Sequence, residues 1–279
     1  MGCAVQSRYF AVGSVVPWAR AGVGAAATQA AGVAIYGKRS LEELAGGAAP
    51  EEALERVLAD DPGRETRQLG IVTADGRAAA FTGADCLDWA GHRVGPGWAV
   101  QGNILAGAAV VDEMARAYAE AVGPLVERLV AALEAGQAAG GDRRGQQSAA
   151  VVVERVSARF ESREGIDRVC ELRVEDHPEP IVELRRLVGI WTTWEAQQRA
   201  HAFAERKAYG DAAAVLRREL ERAEDSLVLY NLAGYESLAG RSDEAVAHLR
   251  RAIELDPSHR ALAAQDTDFD PIRSAVSRI

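Results

Sequence analysis

The pattern of the chain changes once, at His177-Pro178, and that break limits the fold more than any other feature of the sequence. Before it, short apolar runs alternate with turns rich in Gly, Pro and Asp, the pattern of strands and short helices. After it, from Glu179 to Leu255, the sequence reads as almost wholly helical. At 279 residues the chain has the length of one or two domains. The break predicts an α+β domain over 1–178 and a small all-α domain over 179–279.

Within the first part, Gly2 to Gln6 reads as a strand. The apolar runs Arg8–Val16 and Gly22–Gln29, with Pro17-Trp18-Ala19-Arg20 between them, read as buried strands. Ser40 is the expected N-cap of a helix over Leu41–Ala45. Pro50-Glu51-Glu52 opens a second, because Pro suits the first turn and acids oppose the positive end of the dipole. Asp75-Gly76, between Gln68–Thr73 and Ala78–Thr82, predicts a hairpin. Two helices are expected over Ala108–Ala121 and Pro124–Ala135, then strands over Ser148–Glu154 and Arg168–Glu175. Strands interrupted by helix pairs point to layered α+β rather than alternating βαβ units.

The formal net charge is −9 and the arginines are interleaved with acids, so no face for nucleic acid is expected. Cys3, Cys86 and Cys170 form no CxxC pair, which argues against a zinc ribbon or a disulfide framework. No HxxEH or HExxH spacing occurs, and Gly140-Gly141 is not followed by GKS or GKT. Neither a metal nor a cofactor is therefore expected. No apolar run approaches about 18 residues, so no membrane span is expected. The start Met1-Gly2-Cys3-Ala4-Val5 makes a poor signal peptide, and Gln6 occupies the position where myristoylation needs Ser or Thr. A cytoplasmic location is the expectation.

Chemistry-bearing residues concentrate between Thr82 and Asn103: Asp85, Cys86, Asp88, Trp89, His92, Trp98 and Gln101, with glycines among them. Two readings fit. The segment is the wall of a pocket, or a buried turn whose polar groups cap backbone.

Many segments of the first part, in order, resemble the uncharacterised bacterial family DUF1028, grouped with the N-terminal nucleophile (Ntn) hydrolases. They include Ala4-Val5-Gln6-Ser7-Arg8-Tyr9-Phe10, Val16-Pro17-Trp18-Ala19-Arg20-Ala21-Gly22, Cys86-Leu87-Asp88-Trp89-Ala90-Gly91-His92, Gln101-Gly102-Asn103-Ile104-Leu105 and Gly140-Gly141-Asp142-Arg143-Arg144-Gly145. The resemblance implies an αββα sandwich. It also implies a first strand carrying a Thr or Ser nucleophile, whereas this sequence begins at the strand that matches the second. Exposure of Cys3 as an N-terminal thiol is the alternative nucleophile, against a small buried hydrophobe. Separately, Leu229-Tyr230-Asn231-Leu232-Ala233 through Gly240, Ala245, Leu249, Ala252 and Pro257 resembles a tetratricopeptide repeat (TPR). Residues 199–225 are expected to form a degenerate helix pair before it.

If the Ntn chemistry applies, Asn103 is the candidate oxyanion donor, or else a turn side chain. His92 is a candidate proton relay or a satisfied structural group. Asp142 and Arg144 would fix the catalytic amine and a substrate carboxylate, or form a surface ion pair. Gln101 orients substrate or bonds a strand edge. Ser7, Gln29, Gln147 and Ser148, polar residues at strand ends, are expected to line the same cleft. Cys86 is expected to be inert. The expected function is an Ntn amidohydrolase acting on a small amide, inactive without its nucleophile strand. The alternative is a non-catalytic binding or scaffold protein using the pocket and a partner-recruiting helical tail. A homo-oligomer is expected in either case.

Overall fold

The computed structural model describes residues 1–156 and 167–279. The chain separates into two compact units, Met1–Val188 and Gly189–Ile279.

The first unit opens with β1 (Gly2–Ser7), β2 (Pro17–Arg20) and β3 (Gly24–Ala30), followed by α1 (Ile35–Ala45) and α2 (Pro50–Leu58). A hairpin of β4 (Arg67–Thr73) and β5 (Ala78–Thr82) precedes a second, β6 (Gly91–Gly95) and β7 (Trp98–Gly102). Then come α3 (Ala109–Glu120), α4 (Leu125–Ala138), β8 (Ser148–Glu154) and β9 (Arg168–Val174). The strands form antiparallel sheets of order β1-β8-β9 and β2-β3-β4-β5, plus the β6-β7 pair. Helix α5 (Pro180–Ala204) spans the boundary between the units.

Helices α1 and α2 pack on the four-stranded sheet, and α4 packs on β1 and β8. The two sheets meet through β1, β2, β3 and β8. Leu54 and Leu58 of α2, one turn apart, join Leu41, Leu44, Leu69 and Ile71 in one core cluster. Fully burying each such side chain contributes about 2 kcal/mol. Between the sheets the residues are small: Cys3, Ala25 and Val152 form one cluster, and Val5, Val12, Val16 and Ala150 another. Every residue of β8 is buried, which explains its unbroken apolar run. Gly76, at φ 87, makes the turn expected between β4 and β5.

Two local expectations are corrected. Ser40 is not an N-cap: it lies inside α1, fully buried, with its hydroxyl donating to Tyr36 O at 2.7 Å. That back-bond within the helix satisfies the hydroxyl that would otherwise favour a cap. Nor is Arg8–Val16 a strand. It contains a 3-10 turn over Val12–Ser14 preceded by Ala11 at φ 53, and Pro17–Arg20 forms the strand instead. Ser148 fixes this turn from below, donating to Tyr9 O at 2.5 Å and accepting from Val12 N at 3.0 Å.

The second unit contains the end of α5, then α6 (Tyr209–Leu220), α7 (Ser226–Leu238), α8 (Ser242–Leu255), α9 (His259–Gln265) and the short α10 (Arg273–Val276). Asp225 caps α7 by accepting from Leu227 N and Val228 N, both at 2.9 Å. Ala233, Ala245 and Ala252 are fully buried where α7 and α8 approach each other. Glu236 of α7 is also fully buried, between Arg217 at 2.5 Å and His248 Nδ1 at 2.7 Å.

Candidate functional site

The organising residue of the site is Gln68, a fully buried carboxamide on strand β4 next to the apolar run Leu69–Val72. Its neighbours in the sheet are Gln29 on β3 and Thr82 on β5. A carboxamide at this depth costs about 1–3 kcal/mol if unpaired, and here it is fully used. Oε1 accepts from Gln29 Nε2 at 2.8 Å and from Asn103 Nδ2 at 3.4 Å. Nε2 is shared among Thr82 Oγ1 at 2.9 Å, Gly102 O at 2.9 Å and Gly91 O at 3.1 Å. Gln68 thus ties the main sheet to both strands of the β6–β7 hairpin.

Beside this hub lies a cavity of about 600 Å³, a size suited to a small ligand. Six residues singled out from the sequence line it: Ser7, Gln29, Gln101, Asn103, Asp142 and Arg144. They arrive from β1, β3, β7 and the loop before β8, four places far apart in sequence. Gln101 Nε2 donates to Ala27 O at 3.0 Å, and its buried Oε1 has no partner among the described residues. A Cβ on Gly70 would come within 2.6 Å of that Oε1, so glycine at 70 makes room for the carboxamide.

Asp142 is saturated. Its Oδ1 accepts from Arg144 N at 2.9 Å and Arg144 Nε at 3.0 Å. Its Oδ2 accepts from Arg144 NH2 at 2.7 Å and Arg8 N at 3.3 Å. The carboxylate therefore pins the glycine loop to the end of β1. The bond with Asp142, opposed by partial burial, holds the Arg144 guanidinium above its ordinary pKa. Arg144 NH2 also reaches Ser7 Oγ at 3.5 Å.

Three other candidates lie outside the lining. Ser148 is fully buried and engaged with Tyr9 O and Val12 N. Gln147 donates to Asp176 at 3.0 Å near the surface. His92 Nδ1 meets Thr82 Oγ1 at 2.8 Å, one bond removed from Gln68. Burial, and secondarily Arg93, hold the His92 pKa below 6.5, which keeps the ring neutral at pH 7.

Backbone strain gathers at the same place. Ala30 and Ile104 have φ of 70 and 56 and both line the cavity. A β-branched residue in the left-handed region is a genuine outlier, costing on the order of 1–3 kcal/mol. Ile104 is held there from both sides, its N–H donating to Leu87 O at 3.0 Å and its carbonyl accepting from Arg143 N at 2.9 Å.

The lining offers carboxamide donors and acceptors but no activated nucleophile among the described residues. Ser7 Oγ faces a guanidinium, and Cys86 Sγ donates to the Arg67 carbonyl at 3.3 Å. Neither is hydrogen-bonded to a side chain that would take its proton. Burial pushes the Cys3 thiol up to about 12, which leaves it unreactive at neutral pH. Gln68, Gln6 and Gln137 were not singled out as site residues from the sequence. A glutamine directly before the apolar run Leu69–Val72 was the available signal for the first.

The fold is thus a mixed α/β unit with packed antiparallel sheets and a cavity whose largely apolar wall carries several polar side chains, continued by a helical region. The chain belongs to DUF1028, a family of unknown function, whose model matches residues 1–184. Among solved structures it is similar to protein SPO2555 from Silicibacter pomeroyi, described with the same family. That similarity has 31% identity and a TM-score of 0.61, over 68% of this chain and 82% of that one. A search of curated proteins found no match.

Proposed function

We propose that the cavity binds an amide group of a small molecule, and that the domain is an Ntn-hydrolase-like αββα sandwich acting here as a binder. The observation that carries the reading is the long 3.4 Å bond from Asn103 Nδ2 to Gln68 Oε1. Gln68 Oε1 already accepts a shorter bond from Gln29. Asn103 is therefore the donor most easily diverted to a ligand carbonyl, while Gln101 Oε1 is a buried acceptor that lacks a donor among the described residues. Together they suit the two ends of an amide. Two antiparallel sheets with helices on their outer faces support the sandwich reading. Hydrolysis would need a nucleophile and base that the described lining does not present. In the helical unit, the close Ala233, Ala245 and Ala252 contacts and Gly240 at φ 77 between α7 and α8 support a TPR-like hairpin.

The test is an NMR titration with N-acetylglycinamide. Saturable shifts at Asn103, Gln101 and Gln29 are expected, weakened about tenfold by Asn103→Ala, the value of one hydrogen bond of about 1.4 kcal/mol. Absence of saturable shifts at these residues, or equal binding by the variant, overturns the reading.

A further inference from the structure

Gln68 has one orientation that its neighbours accept. Its Nε2 lies against three oxygens, Gly102 O and Thr82 Oγ1 at 2.9 Å and Gly91 O at 3.1 Å. Two of these are backbone carbonyls, which accept and never donate. Its Oε1 therefore points the other way, toward Gln29 Nε2 and Asn103 Nδ2. That polarity makes Asn103 a donor at the cavity wall. The Gln68 oxygen draws in the Asn103 amine, whose second hydrogen is left for a ligand carbonyl. A reversed Gln68 would draw in the Asn103 oxygen instead.

Thr82 is the changeable member of this chain, because a hydroxyl both donates and accepts. Among the described residues its Oγ1 meets two side chains, Gln68 Nε2 at 2.9 Å and His92 Nδ1 at 2.8 Å. The Gln68 amine can only donate to it. The Thr82 proton is therefore used when His92 Nδ1 accepts it, with the neutral ring carrying its own proton on Nε2. Protonation of His92 puts a donor at Nδ1. The Thr82 proton is then left without an acceptor unless Gln68 turns its oxygen round to take it. An imidazolium pulls the same way, attracting Oε1 and repelling the amine.

The ring stands where it can respond to pH. It is partly exposed on β6, so solvent protons reach it. Burial, and secondarily Arg93 on the same strand, hold its pKa below 6.5. Of the elements packed on β6, the strands β5 and β7 bring no titratable side chain. On α3, Asp112 pairs with Arg93 at 2.8 Å, Glu113 and Glu120 pair with Arg116, and Tyr118 lies under the Arg128 guanidinium.

We infer that His92 is a positioning residue for the cavity: through Thr82 and Gln68 it keeps the donor of Asn103 turned to the ligand, and its protonation weakens amide binding. The inference rests on the amide-binding reading and adds the regulation of that site.

The experiment is an NMR titration of the full chain with N-acetylglycinamide between about pH 7.5 and 5, where the ligand itself does not titrate. The free chain is expected to show the Nε2–H tautomer of His92 at the upper end. Affinity should fall about tenfold as the ring is protonated. Binding and protonation are reciprocal, so saturating ligand should lower the His92 pKa by about one pH unit; a merely structural histidine would not move. His92→Asn gives Thr82 an acceptor that does not titrate, and Thr82→Val breaks the relay with His92 intact. Neither variant should keep the fall in affinity. A His92 pKa unmoved by ligand, a ring still neutral at about pH 5, an Nδ1–H tautomer, or the parent's fall retained in Thr82→Val overturns the inference. The first three are read on the parent chain and decide even if a variant does not fold. If N-acetylglycinamide shifts Asn103 with equal affinity across the range, only this inference falls; if it shifts nothing at any pH, the amide reading falls with it.

Discussion

Gln29 on β3 and Gln68 on β4 stand opposite each other in the sheet, and Gln29 Nε2 donates to Gln68 Oε1 at 2.8 Å. This bond joins a side chain that lines the cavity to one that is fully buried. The polar part of the cavity wall is thereby tied to the interior of the sheet.

Removal of the buried partner should therefore be costly. In Gln68→Leu, Gln29 and Asn103 lose an acceptor, and the carbonyls of Gly91 and Gly102 lose a donor. A loss of about 3 kcal/mol is expected in urea unfolding. A change below about 0.5 kcal/mol, typical of an inconsequential surface site, would show that the network is not what holds the hairpin.

Gly70→Ala separates binding from stability. Its Cβ would meet Gln101 Oε1 at 2.6 Å and displace the carboxamide rather than the backbone. Alanine suits a strand slightly better than glycine, so stability should stay within about 1 kcal/mol of the parent. N-acetylglycinamide should bind several-fold more weakly. Unchanged affinity would remove Gln101 from the site.

The neutral ring of His92 predicts a pH dependence. Its folded pKa lies below the ordinary 6.5 because of burial and then Arg93. The unfolded chain then takes up the proton at higher pH than the folded one. The contribution is fully present above about pH 6.5 and is lost as pH falls toward the folded value. Urea midpoints measured between about pH 7.5 and 5.5 should fall more steeply for the parent than for His92→Gln. Parallel curves would contradict this.

In the helical unit, Glu236 is fully buried while its partners Arg217 and His248 are partly exposed. Removing a partner strands the buried charge, whereas replacing the charge by an apolar side chain of similar volume does not. Arg217→Ala should destabilise by about 2 kcal/mol and Glu236→Met by much less. The reverse order in thermal unfolding would refute the argument.

The elements with strong local signals were legible in the sequence. Asp75-Gly76 marked its hairpin, Pro50-Glu51-Glu52 its helix, and the apolar run Ser148–Glu154 the strand buried on both faces. The positions of Ser7, Gln29, Gln101, Asn103, Asp142 and Ser148 at strand ends and on the adjoining glycine loop predict that all six converge; the first five line the cavity, with Arg144, whereas Ser148 is buried outside it against Tyr9 and Val12. Tertiary partners decided the rest. Ser40 follows Tyr36 by one helical turn and bonds to it, which no capping rule reveals. Arg8–Val16 is bent by Ser148, a residue well over a hundred positions away. Gln68 looked like an ordinary strand end until the hairpin folded over it and turned it into the hub.

The most direct measurement is a crystal structure of the chain soaked with N-acetylglycinamide. The account predicts an intact amide in the 600 Å³ cavity, with its carbonyl within hydrogen-bond distance of Asn103 Nδ2 and its N–H toward Gln101 Oε1. Density for a cleaved product, or an empty cavity with the ligand bound elsewhere, would contradict it.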